Sequence, residues 1–274
     1  MHPFLNTAFA AVRKASTQML TALRDIKTIK ISEKGLYDYV TEIDQKSEQI
    51  IIEAIRKAYP SHAILAEESE YIEGSDYTWV IDPLDGTKNF VHGFPHFCIS
   101  IGIKQADRIE HGLIYDPIRD ELFTATRGAG ARLNDQRIRV TEHQSYQGAL
   151  LGTAFPTSEK PYFRDYMSGF SRIYGNTSGL RLCGSAALSL AYVAAGRLDG
   201  HWEMGLAEWD VIAGALLVKE AGGMVSDLQG GETYLETGNI VVGGSKVFKG
   251  LVQALHTIKP SPMAAEIDSE NTGE

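Results

Sequence analysis

The stretch Trp79-Val-Ile-Asp-Pro-Leu-Asp-Gly-Thr-Lys-Asn-Phe90 limits what this chain can fold into more than any other. A short apolar run of this kind reads as a buried strand, and it ends abruptly in Asp82. Pro83 to Gly86 then reads as a turn, because proline fixes the backbone and glycine permits both unusual dihedrals and close approach by a ligand. Turn chemistry alone accounts for many Asp-Pro and Asp-Gly pairs. Here, however, the carboxylate of Asp82 closes an apolar strand, where leaving it unpaired is costly. With Asp85 three positions on, the pattern suits the gripping of a hard cation. If Thr87 opens a short helix, its free N–H groups face an anion such as phosphate.

The rest of the chain is read by what it adds to these residues. Residues 3–27 carry Phe4, Leu5, Ala8, Phe9, Val12, Met19, Leu20 and Leu23 at helical spacing, an amphipathic packing helix rather than a membrane anchor. Lys30 to Tyr39 reads as a loop or flexible hairpin. A second helix follows Thr41 and Asp44 through Tyr59, stopped by Pro60. Ala63–Ala66 is a short strand that runs into Glu67-Glu68-Ser69. Phe97–Lys104, Arg108–Tyr115 and Glu121–Thr126 predict an antiparallel meander, closed by Gly128-Ala129-Gly130. A second α/β half begins near 145–150, with strands at Leu150–Ala154, Asp199–Glu203, Met224–Asp227 and Asn239–Val242. Helices are expected at about Pro161–Ile173, Ser185–Ala195, Trp209–Ala221 and Lys246–Ile258. The expectation is one α/β (α+β) domain over 1–258, in layers, and a disordered acidic tail over 259–274.

Charge and cysteines bound the function. The net charge is -9. Four acids against one lysine in the tail supply -3 of it, leaving about -6 on the body. An acidic body argues against direct nucleic-acid binding and implies that an anionic substrate needs metal cations. Cys98 and Cys183 form no framework of disulfides, no apolar run reaches the length of a membrane span, and no signal peptide opens the chain, so a reducing cytoplasm is expected.

Other candidates are weaker by local reading. Glu67 and Glu68 are adjacent at a strand end, so one of them points into a site. Asp210 begins an apolar helix, where an acid is ordinarily a cap or dipole partner. Gly184-Ser185-Ala186 opens another helix. Glu203 is indistinguishable from surface charge, and the histidines show no metal-like pair and no clear partner. Gly-Ser-Ala is not a Gly-x-Ser-x-Gly elbow and neither cysteine lies in a Cys-x-x-Cys pair, so serine or cysteine nucleophilic catalysis lacks support.

Together, Asp82-Pro-Leu-Asp-Gly-Thr87, Trp209-Asp210-Val-Ile-Ala-Gly-Ala-Leu-Leu-Val-Lys-Glu-Ala-Gly-Gly223 and Glu67-Glu68-Ser69 resemble the signatures of the inositol monophosphatase family. Met1–Asn6 and Gly184–Arg197 are similar to its bacterial SuhB-type members. The resemblance covers the chain to about residue 258. It implies a layered α/β/α/β/α sandwich of the inositol monophosphatase and fructose-1,6-bisphosphatase type, a homodimer, two or three Mg²⁺ ions and sensitivity to lithium. It implies that Glu67, Asp82, the Leu84 carbonyl, Asp85 and Asp210 ligate metal. Gly86 and Thr87 would bind phosphate, and Asp44 would hydrogen-bond Thr87 and help activate water. Gly184, Ser185, Ala186 and Glu203, with Asp85 and Asp210, would meet the hydroxyls of a phosphorylated polyol. No covalent phosphoenzyme is implied. The SuhB-type resemblance also implies a role in ribosomal RNA transcription antitermination, through a NusA-type factor and RNA polymerase. Two positions depart from the pattern. Lys88 stands where a second threonine is common and resembles phosphatases of 3′-phosphoadenosine 5′-phosphate, the alternative reading. Glu208 stands where a neutral residue is common.

Overall fold

Five layers stack around three apolar cores, the central one wrapping both faces of the middle helix layer. The computed structural model describes residues 1–35, 38–155, 163–256 and 258. In chain order, α1 (Pro3–Ala22) leads through a 3-10 turn to the hairpin β1 (Ile31–Gly35) and β2 (Asp38–Thr41), then α2 (Glu42–Ala58). Next come β3 (Ala63–Ala66), β4 (Thr78–Asp85) and α3 (Thr87–Val91). The meander is β5 (Cys98–Gln105), β6 (Arg108–Asp116), β7 (Glu121–Thr126), β8 (Gly130–Leu133) and β9 (Gln136–Arg137). The second half is β10 (Leu150–Thr153), α4 (Phe163–Tyr174), β11 (Gly179–Arg181), α5 (Ala186–Ala194), β12 (Gly200–Glu203) and α6 (Glu208–Glu220). It finishes with β13 (Met224–Ser226), α7 (Tyr234–Thr237), β14 (Ile240–Gly243) and α8 (Ser245–Leu255).

A seven-stranded sheet takes β3 to β9 in order, with β3 and β4 parallel and each later pair antiparallel. Alternation along β4 sends Trp79 and Ile81 to one face, against Ala8 and Val12 of α1 and Ile51 and Ile55 of α2. Val80 points the other way, into a core shared with α5 and α6. The second sheet runs β11-β10-β12-β14-β13. Its Ile240 and Val242 close the α5 and α6 core, while Leu151, Trp202 and Val241 face α4 and α8. The result is an α/β/α/β/α sandwich.

The central helices fix this stacking. Every residue from Val211 to Val218 of α6 is buried, and a helix apolar all round must be covered all round. Gly102 and Gly112 let α6 lie close on β5 and β6. A Cβ added there would sit 2.4 Å from Ile212 Cγ2 and 2.9 Å from the Ala213 carbonyl oxygen.

The expected turn at Pro83–Gly86 is instead largely strand. β4 pairs Asp82 with Ser100 and Asp85 with Cys98, with a bulge between. Pro83 is tolerated there because a bulge frees it from donating to the ladder. The meander also continues past Gly130 into two short strands, and the short β11 and α7 carry no pattern that separates them from loop. Leu36 and Tyr37 of the expected hairpin, the expected helix start at Pro161 and the tail at 259–274 lie outside the described residues. Among the described residues no helix is long and apolar enough to cross a membrane.

Candidate active site

Asp82, Asp85 and Asp210 each present a carboxylate oxygen within 4.8 Å of the others. In an unbroken strand, side chains three positions apart leave opposite faces. The bulge in β4 re-aims the chain so that Asp82 and Asp85 meet. Asp210 arrives from the first turn of α6, where its Oδ2 accepts the Ala207 N–H at 2.7 Å. Cap and cluster member are therefore the same residue. The Glu67 N–H donates to the Ile81 carbonyl at 3.2 Å, which sets the end of β3 beside Asp82.

The cluster is strongly anionic. Burial, followed by the charges of Glu67, Asp85 and Asp210, pushes the Asp82 carboxyl well above the ordinary carboxylate range. Asp210 is likewise raised, by burial first and then Asp85. Burial lifts Asp85 to about 6, opposed by hydrogen bonds from Ser185 and from the amides of Ala187 and Ala186. Among the described residues no lysine or arginine forms an ion pair with any of the three. Crowded hard oxygen donors without a counter-cation suit Mg²⁺ chemically, so the donor set fits the metal that the sequence signatures imply.

One face of α2 supports this group. Asp44, Ser47 and Glu48 are all buried and share the face of Ile51 and Ile55. Asp44 Oδ2 accepts the Thr41 N–H at 2.8 Å and the Thr41 hydroxyl at 2.6 Å; Oδ1 accepts the Thr87 hydroxyl at 3.1 Å. The Thr87 hydroxyl also lies 3.0 Å from the Leu84 carbonyl oxygen. Ser47 donates to the Pro83 carbonyl at 3.0 Å, and Glu48 accepts the Glu68 N–H at 2.8 Å. Burial raises the Asp44 carboxyl, with the Thr41 and Thr87 bonds opposing. Gly86 caps α3 at φ 95°, a left-handed conformation that favours glycine.

The start of α5 holds Asp85 from the other side. Ser185 Oγ donates to Asp85 Oδ2 at 2.5 Å, the Ala187 N–H to the same oxygen at 2.7 Å, and the Ala186 N–H to Oδ1 at 3.3 Å. The Cys98 thiol donates to Oδ2 at 3.6 Å. Ser185 is thus engaged with Asp85 and with the Leu188 N–H that it caps. Asn89 ties α3 to this loop through the carbonyls of His96, Cys183 and Gly184. A cleft of about 370 Å³ opens over the cluster, lined by Asp85, Lys88, Gly184, Ala186, Glu203 and Asp210 and walled by Ala154, Phe155, Leu182 and Leu206.

The Inositol monophosphatase family profile matches residues 1–259. The chain belongs to the inositol monophosphatase family. It is 52% identical over 266 residues to the Nus factor SuhB of Pseudomonas aeruginosa, covering 95% of this chain and 97% of that protein. A crystal structure of the extragenic suppressor protein suhB from Bartonella henselae superposes with a TM-score of 0.90 at 41% identity, covering 93% of this chain and 99% of that one. The inositol monophosphatase of Anabaena superposes with a TM-score of 0.83 at 38% identity, covering 94% and 96%.

Several residues, at this family site and away from it, escaped local reading of the sequence. Three of the histidines do have partners: His62 accepts from the Trp79 indole at 3.0 Å, His111 meets Thr126 and His201 meets Glu203 at 3.0 Å. Glu203 is accordingly not a surface charge, its side chain being 13% exposed. The signal was available in His201 and Glu203, two apart on a strand and so on one face. Ser47 and Glu48 stood at helical spacing from Asp44, but polar residues on an apolar face draw no notice until the buried partner is known. Glu208 pairs with Lys104 at 2.6 Å, which accounts for a charge at that position.

Proposed function

We propose that this chain is a Mg²⁺-dependent phosphatase of inositol 1-phosphate and related polyol or sugar monophosphates. The observation that carries the reading is the carboxylate trio of buried Asp82 and Asp85 and half-buried Asp210, without a counter-cation among the described residues, two of whose members line a cleft together with Glu203. Asp82, Asp85 and Asp210, with Glu67 and the Leu84 carbonyl, would hold the ions. Mg²⁺ held there would supply positive charge for the phosphate dianion, the attacking water and the leaving oxygen.

The chain's own groups then have defined tasks. The amides of Gly86 and Thr87 lie at the start of α3, where N–H groups lack partners within the helix, and serve the phosphate oxygens. Asp44 Oδ1 draws the Thr87 hydroxyl proton toward itself, which leaves a lone pair of Thr87 Oγ1 to accept from the water. As the P–O bond to water forms in line, the P–O bond to the alcohol breaks; of the water's two protons one stays on the phosphate and the other ends on the leaving alcohol. Glu203, Gly184 and Ala186 line the space for the polyol, while Ser185 reaches the substrate through Asp85. A phosphate-release screen over inositol, sugar and nucleotide phosphates with Mg²⁺, with and without Li⁺, tests the reading. Release from the polyol esters, suppressed by Li⁺, is expected.

A nucleotide 3′-phosphatase activity is the alternative, favoured by one observation: Lys88 lines the cleft, where its charge can meet a second phosphate. Under that reading Lys88→Thr weakens kcat/KM for 3′-phosphoadenosine 5′-phosphate selectively. Under the polyol reading wild type prefers inositol 1-phosphate. A role as a Nus-type factor rests on the name and 52% identity of the Pseudomonas relative. Such a cytoplasmic, dimeric protein would bind a NusA-type partner and RNA polymerase with or without a working metal site. Capture of that partner by wild type and Asp82→Asn alike supports the role, and capture by neither removes it.

A further inference from the structure

Glu203 is held by a histidine at the cleft wall. His201 and Glu203 leave one face of β12, while Trp202 enters the core on the other. His201 Nε2 lies 3.0 Å from Glu203 Oε2. A carboxylate only accepts, so Nε2 carries the hydrogen and donates. The imidazole is 1% exposed. It sits over Gly152 of β10, the residue paired with His201 across the ladder. A Cβ at Gly152 would lie 2.6 Å from His201 Nδ1, so only glycine leaves room for the ring. Nδ1 itself is buried with no partner among the described residues. The bond to Glu203 is therefore the polar contact that orients this ring.

The consequence falls on the cleft. Glu203 stands near enough to Asp85 and Asp210 to repel both, and a glutamate free to rotate would swing away from them. A buried donor on Oε2 stops that swing and leaves Oε1 for the ligand. It also removes the cost of ordering the side chain when substrate arrives.

We propose that His201 is a positioning residue that holds Glu203 as a hydroxyl acceptor and so sets the preference for polyol phosphates over phosphate esters without hydroxyls. The inference rests on the phosphatase reading above and deepens it. Its test uses the full chain with Mg²⁺ and two substrates, inositol 1-phosphate and p-nitrophenyl phosphate, which has no hydroxyl for Glu203 to meet. His201→Leu removes the donor, and His201→Gln restores one at similar reach. Loss of one charge-assisted hydrogen bond predicts a rise of about tenfold in KM for inositol 1-phosphate in His201→Leu, with far smaller changes in its kcat and in KM for p-nitrophenyl phosphate. His201→Gln returns the ratio toward wild type. His201→Leu adds nothing in a Glu203→Gln background. Should the leucine variant not fold, His201→Asn, whose amide is too short to reach Glu203, shows the same rise against His201→Gln. Equal losses on both substrates, or an unchanged ratio, overturn the proposal. Wild type that cleaves p-nitrophenyl phosphate but not inositol 1-phosphate overturns the polyol class and this proposal while the phosphatase reading stands. Wild type that cleaves neither overturns all three.

Discussion

Asp85 shows how one side chain is held ready for the proposed cation site. Its two oxygens face the carboxylate cluster and the start of α5 at once, and four donors on the far side hold the carboxylate still: Ser185, Ala186, Ala187 and Cys98. A ligand fixed in this way needs little reorganisation when an ion arrives, and outer partners of this kind typically matter tenfold or more to metal affinity. Ser185→Ala is therefore expected to raise the Mg²⁺ concentration for half-maximal activity by about tenfold, with kcat at saturating Mg²⁺ closer to wild type. A Mg²⁺ titration of activity checks this, and an unmoved midpoint would assign Ser185 to capping alone. Local reading made Asp82 and Asp85 candidates because carboxylates closing an apolar strand are conspicuous, whereas Asp210 read as a cap and joined them through the family resemblance. It did not reveal the Ser185 bond, since a serine at a helix start reads as a cap and nothing local shows that the same hydroxyl reaches residue 85.

At the scale of elements, α2 and the pair α5 and α6 matter most. Thr41 caps α2 through the Ile43 N–H and holds Asp44 with both its amide and its hydroxyl. Thr41→Ala is expected to cost about 1 kcal/mol of stability through the lost cap and to remove one of the two donors on Asp44 Oδ2, the backbone N–H remaining. Chemical denaturation reads the first effect and kcat the second. Between α5 and α6, Gly214 leaves no room: an added Cβ would lie 2.5 Å from Leu190 Cβ. Helix propensity favours alanine over glycine by about 1 kcal/mol, whereas overpacking costs about 1–3 kcal/mol and the contact here is with a side chain rooted in the helix. Gly214→Ala is thus expected to destabilise, and a stabilised variant would mean that the helices separate freely. The long helices and the β5 to β7 meander were legible from periodicity. The bulge in β4 was not, because a proline inside the strand and a glycine just past its end carry the same signal as a turn.

Across the molecule, the layers bring three distant segments to one anionic point, and this links folding to pH and cation. The raised carboxyls mean that the folded chain, free of cations, binds protons that the unfolded chain has already released. Folded-state binding in excess makes stability fall as pH rises. For Asp85 this loss runs from the ordinary value of about 4 through its folded value of about 6, and Asp82 and Asp210, raised first by burial, add to it in the same direction. Mg²⁺ supplies the missing charge, so its gain in Tm is expected to be larger near pH 7.5 than near pH 5. A gain independent of pH would show that the cation stabilises elsewhere. The layer order was implied by family resemblance rather than by pattern, since no local signal shows that β4 and α6 meet; that meeting depends on Gly102 and Gly112 admitting α6 to the sheet. The most direct test of the central claim is phosphate release from inositol 1-phosphate by wild type and Asp82→Asn in Mg²⁺. Wild type is expected to release phosphate and the variant to lose activity by about a hundredfold or more. An Asp82→Asn protein as active as wild type would contradict the account.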